Sequence, residues 1–179
     1  MGYRLKIGEA ELEYSEVFIR TTCATASLDY APAFGGREDH QNQALPSYSA
    51  WAHDMKALEL LDVMFDEITE GGKGCFEWKG VVRYPLISHH AGAALVTREH
   101  VEVVETKLAD YKILHPDHRA EYAPLKPGAE AIAEDRGSYR AEDFVDNPIY
   151  DTALCRGEWL AFWLRWAFDN CNRPVFVNN

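Results

Sequence analysis

No two Lys or Arg residues adjoin anywhere in the chain, and eighteen of them stand against 29 Asp and Glu, giving a net charge of −11. Such a surface repels a phosphate-rich duplex, so binding of duplex nucleic acid along a basic groove is disfavoured. A small anionic ligand held by two or three arginines is still compatible with this charge. No apolar run approaches the roughly 20 residues of a membrane span. The longest, near the C-terminus, is broken by Arg156, Glu158, Arg165 and Asp169, and no membrane partner is expected. Met1-Gly2-Tyr3-Arg4 opens onto neither the apolar stretch of a signal peptide nor the Ser or Thr of a myristoylation signal. Four cysteines include no C-x-x-C pair. Cys155 and Cys171 would lie about 24 Å apart along one expected helix, beyond the roughly 7 Å that a disulfide bridges. Reduced, buried thiols in a cytoplasmic protein follow. The signatures G-x-S-x-G, the phosphate-binding loop, the dinucleotide fingerprint and H-E-x-x-H are all missing.

What is present is a core. Hydrophobic residues make up 47% of 179 positions, with five Trp, nine Tyr and eight Phe, enough for one domain over 1–179. Placing Gly8-Glu9 in a two-residue turn pairs Ile7 with Ala10, Leu5 with Leu12 and Tyr3 with Tyr14. Lys6 then meets Glu11, and Arg4 meets Glu13, on the other face. That register predicts a type II′ hairpin, with residues 17–30 as a third strand. Residues 31–46 read as a surface loop. The spacing of Trp51, Met55, Leu58, Leu61, Phe65 and Ile68 predicts a helix over 47–68. A hairpin is expected over 75–84, and a second helix over 97–114, ending before Pro116. Residues 116–147, rich in Pro, Gly and acids, read as an irregular acidic loop with one helical turn near 128–135. Asn147-Pro148 signals the start of a third helix running to 171, apolar nearly all round and hence central. Val175-Phe176-Val177 reads as a final strand. The fold class expected is α+β, an antiparallel sheet packed on three main helices.

The nearest thing to chemistry is a run of histidines: His89, His90, His100, His115 and His118 are five of the chain's seven. Neutral imidazole is a common metal ligand and acid or base. His89-His90 sits ahead of the helix at Thr97, where backbone donors favour an anion. His100 reads as a core-edge residue. His115, Asp117 and His118 are acceptable zinc ligands within one turn. Arg83-Tyr84 and Tyr139-Arg140 each join an aromatic face to a guanidinium fork.

Three stretches, Pro46-Ser47-Tyr48-Ser49-Ala50-Trp51, Leu95-Val96-Thr97-Arg98-Glu99-His100 and the run from Arg156 to Phe176, resemble a group of small, uncharacterised proteins encoded by bacteriophages and prophages. The resemblance implies an accessory factor acting in the host cytoplasm, similar to sponges that sequester nucleotide immune signals, and it supplies no catalytic residues. The expectation is a binder without catalysis or cofactor. It would hold a small anionic ligand, a nucleotide foremost, between the sheet and the 116–147 loop with Arg83, Tyr84, His89, His90, Tyr139 and Arg140. Two alternatives are a metal-dependent hydrolase built on the histidines and an acidic inhibitor that binds a host protein. An oligomer is compatible with each.

Overall fold

Leu5–Tyr14 runs as one ten-residue strand, β1, although its apolar alternation changes phase at Gly8-Glu9, from Leu5 and Ile7 to Ala10, Leu12 and Tyr14. The expected turn at Gly8-Glu9 is therefore not made, and neither are the Lys6–Glu11 and Arg4–Glu13 pairs that depended on it. The reason lies on both sides of the strand. The Glu9 carboxylate accepts from the backbone N–H of Asn172 at 2.6 Å and of Arg173 at 3.2 Å. Gly8 lets the buried Asn42 come close, since a Cβ there would lie 3.3 Å from Asn42 Nδ2. Asn42 Nδ2 donates to the carbonyls of Ile7 and Ala24, both at 2.9 Å. The expected surface loop 31–46 is thus partly core, with Ala31, Asn42 and Ala44 buried.

A computed structural model of the chain describes residues 2–14, 19–33, 40–61, 63–67, 83–85, 92–121, 124–137, 140–145 and 149–178. It shows an α+β fold. Ile19–Cys23 (β2) and Gln43–Ala44 (β3) pair with the two halves of one edge of β1. On the other edge lies Pro174–Asn178 (β9), the expected C-terminal strand. Beyond it come Gly92–Leu95 (β6), Met64–Glu67 (β4) and Arg83–Pro85 (β5). The order is β2-β1-β9-β6-β4-β5, with every pair antiparallel. Strand periodicity sorts the side chains by face. Leu5, Ile7 and Phe176 join the helix-facing core, while Ala10, Cys23, Ala93, Val175 and Val177 form a second buried cluster.

Helix α1 is Tyr48–Ala57, capped by Ser47 Oγ, which accepts from the Ala50 N–H. It ends eleven residues short of the expected 68. Leu58, Leu60 and Leu61 continue the apolar pattern in a turn with Glu59 at φ +55, and Met64–Glu67 is strand. A short apolar run is consistent with either period, and sheet pairing decides here. Residues 68–82 lie outside the described residues, as does most of the expected 75–84 hairpin; β5 pairs with β4. Helix α2, Arg98–Leu114, agrees with expectation. Thr97 caps it, and His100 Nδ1 accepts from the Thr97 N–H at 3.1 Å. His100 is indeed a buried core-edge residue.

The expected loop 116–147 carries its own order. His118–Arg119 (β7) pairs in parallel with Ile149–Tyr150 (β8), and Ala129–Arg136 (α3) is helical. Leu125 bridges to Phe144, and the Lys126 N–H donates to the Asp143 carbonyl at 2.8 Å. Helix α4, Thr152–Asn170, starts later than Asn147-Pro148 suggests and is capped by Asp151. It is the centre of the fold, with Trp159, Leu160, Trp163, Leu164 and Ala167 fully buried. Its polar strip faces α2. Glu158 accepts from Lys112 at 2.7 Å, and Arg165 grips Glu105 at 2.9 and 2.8 Å.

Candidate functional site

The last turn of α1, the last turn of α2 and the first turn of α4 meet at one end of the helical layer. Asp151 organises that end. As N-cap of α4, its Oδ1 accepts from the N–H groups of Ala153 at 2.8 Å and Leu154 at 3.1 Å. Its Oδ2 takes the Tyr111 hydroxyl at 2.7 Å and His118 Nδ1 at 2.5 Å. Pairing of β7 with β8 delivers His118 to this position, and the Asp151 N–H donates to the Arg119 carbonyl at 2.9 Å. Burial pushes the Asp151 carboxyl up, but the hydrogen bonds from His118, Tyr111, Leu154 and Ala153 outweigh it and hold the group below its ordinary value. Burial and then the Asp151 hydrogen bond push the Tyr111 phenol far up, so it stays a donor.

His115, the C-cap of α2, packs against two rings that themselves lie 6.4 Å apart. Its centroid lies 4.3 Å from Tyr111 and 4.6 Å from His118, tilted by 42° and 30°. The His118 ring is therefore held at an edge by the carboxylate and on a face by His115. Beside it runs a second polar group. Asp54, 2% exposed in its side chain, takes the Arg156 guanidinium on Oδ2, and takes Thr152 Oγ1 and His53 Nδ1 on Oδ1, each at 3.1 Å. An ion pair this enclosed ties α1 to α4.

A cleft of about 380 Å³ opens next to these rings, lined by Leu58, Tyr111, Ile113, Leu114 and His115 with Glu59, Lys107 and Asp110. Its apolar rim is bare: Ile113 is 76% exposed and Leu114 74%. Lys107 Nζ donates to Glu59 Oε2 at 2.5 Å. This pair holds the Glu59 carboxyl below its usual range and the Lys107 ammonium above.

The six residues expected to hold an anion are not gathered in the described part of the molecule. Arg83 and Tyr84 lie on β5, with side chains outside the described residues, as are His89, His90 and Tyr139 altogether. Arg140 points among acids. Its side chain is 59% exposed beside Glu142 at 3.5 Å, and its N–H donates to Asp143 Oδ2 at 2.6 Å. That amide, working with the Arg136 guanidinium against burial, keeps the Asp143 carboxyl low. His115 and His118 come together, but Asp117 stays on the exposed turn. Among the described residues no three of His, Cys, Asp and Glu are placed to hold a metal ion. Of the thiols, burial pushes Cys23 up to about 12 and Cys171 up to about 11, so neither is a thiolate nucleophile near neutral pH.

Sequence reasoning missed Asp54, Tyr111 and Asp151. Tyr111 reads as one more apolar position of α2, and Asp151 lies 33 residues from His118. The available signal was Asp151 immediately before the apolar helix, a capping residue that competes with Asn147-Pro148. No family model matches the chain, and neither a curated protein nor a solved structure does.

Proposed function

We propose that the protein is an acidic interaction protein that docks a partner segment, one carrying apolar side chains interleaved with Lys or Arg, in the cleft between the ends of α1 and α2. Among the readings of the sequence, this one rests on a single observation. Two adjacent large apolar side chains, Ile113 and Leu114, stand three-quarters exposed on the lip of a cleft whose lining holds Glu59 and Asp110 against Lys107. Large exposed apolar groups in contiguous patches mark interaction surfaces. The charge of the walls selects the partner. Glu59 and Asp110 both act on the one lysine of the cleft, Lys107, which bonds Glu59 and feels the charge of Asp110, so the acids there outnumber it, and the chain around it carries −11. The same charge disfavours a small anion there. The docking mode is an apolar side chain in a groove with a polar rim setting specificity.

The test uses two amidated hexapeptides, one alternating leucine with lysine and one alternating leucine with glutamate, titrated into 15N-labelled protein. The lysine peptide should shift the amides of residues 57–59 and 107–115 and the glutamate peptide should not. Ile113→Ser with Leu114→Ser should abolish the response, since both side chains are exposed and carry little of the fold. Silence from both peptides, or an equal response to both, defeats the reading.

A further inference from the structure

The Asp151 carboxylate and the His118 imidazole stand outside the lining of the docking cleft, and their geometry has a consequence of its own. His118 Nδ1 lies 2.5 Å from Asp151 Oδ2. Because the carboxylate accepts, the neutral ring carries its proton on Nδ1 and its lone pair on Nε2, on the far side of the ring. The carboxylate cannot turn away from its task. Oδ1 is held by two helix N-terminal amides, and Oδ2 also accepts from Tyr111. Nor can the ring rotate freely, because His115 stacks on it at 4.6 Å. The His118 side chain is 23% exposed.

We infer that His118 Nε2 is a nucleophile toward activated acyl esters, with Asp151 as the positioning residue that fixes its tautomer. Nε2 attacks the ester carbonyl carbon, the bond to the aryloxy oxygen breaks, and the aryloxide leaves with the electron pair. The acyl-imidazolium so formed keeps its proton on Nδ1, hydrogen-bonded to the Asp151 carboxylate. Water then adds to the acyl carbon, carboxylate is released, imidazole is restored and protons pass to solvent. The chain contains a built-in comparison. His53 also has Nδ1 near a carboxylate, Asp54 Oδ1 at 3.1 Å, but its side chain is 82% exposed and no ring stacks on it among the described residues. Reactivity set by exposure alone would favour His53, whereas reactivity set by orientation favours His118.

The experiment treats the whole chain with p-nitrophenyl acetate, follows p-nitrophenolate and maps the acetyl group by peptide mass spectrometry after a rapid quench. Acetyl should be found on His118 ahead of His53. His118→Gln should lower the protein-dependent rate by about tenfold or more, and His53→Gln should leave it unchanged. Asp151→Asn preserves the helix cap, since Asn caps as well as Asp. It should slow acylation while Asp151→Glu restores part of the rate, which a merely structural role would not produce. Acetyl on His53 in preference to His118, or equal rates for wild type and Asp151→Asn, overturns the assignment. The wild-type map decides the question even where a variant fails to fold.

Discussion

Asp54 and Asp151 sit within one helical turn of the same helix junction, yet they work in different ways. Asp54 is almost without solvent and faces a guanidinium, so removing one of the two takes from the other the opposite charge it is paired with. Asp54→Ala should cost about 3 kcal/mol or more of unfolding free energy in urea titration. Replacing Asp54 and Arg156 together with apolar residues should cost clearly less than the sum of the single changes. Asp151 contributes as a cap and as an acceptor for His118 and Tyr111, so Asp151→Ala should cost about 2 kcal/mol at neutral pH. Its folded carboxyl lies below its ordinary unfolded value near 3.9. The contribution of its charge is therefore complete above about pH 4 and is lost as pH falls through the folded value. The gap between wild type and Asp151→Ala should narrow in acid, and a gap that widened there would contradict this assignment.

At the level of elements, the close approach of α4 to its neighbours depends on Gly157. A Cβ there would meet Leu108 Cδ1 at 2.9 Å and Leu58 Cδ1 at 3.0 Å. Ala is favoured over Gly inside a helix by about 1 kcal/mol, but both leucines are buried and overpacking costs roughly 1–3 kcal/mol. Gly157→Ala should thus be destabilising by about 1 kcal/mol in thermal or urea unfolding; a stabilised variant would show that the two leucines move aside freely. The helices that were legible in the sequence, α2 and α4, have long periodic stripes and clear stops. The end of α1 was not legible, because Leu61, Phe65 and Ile68 keep helical spacing and only pairing with β5 and β6 makes 64–67 a strand. Gly8 misled for a related reason: it serves a tertiary approach by Asn42, which no local pattern reveals. The histidines at 115 and 118 were visible as candidates. Their carboxylate was not, since it arrives through pairing of two-residue strands whose partners are 31 residues apart.

Across the whole molecule, the chain's last strand holds the sheet together. β9 bonds to β1 on one edge and β6 on the other, and its Val175 and Val177 are fully buried. Ending the chain before Pro174 should abolish cooperative unfolding, whereas a truncated protein that still unfolds in one sharp transition would deny β9 this role. Net charge acts at the same scale. The field of a −11 chain steers basic partners toward it, and raised salt should weaken the leucine–lysine peptide through screening while leaving the apolar contacts intact. The central claim, that the cleft between α1 and α2 selects its occupant by charge, reduces to Asp110. Asp110→Lys is a surface change at the cleft wall, and the affinities of the leucine–lysine and leucine–glutamate peptides for this variant test the claim directly. Preference should reverse toward glutamate, and an unchanged preference for lysine would contradict it.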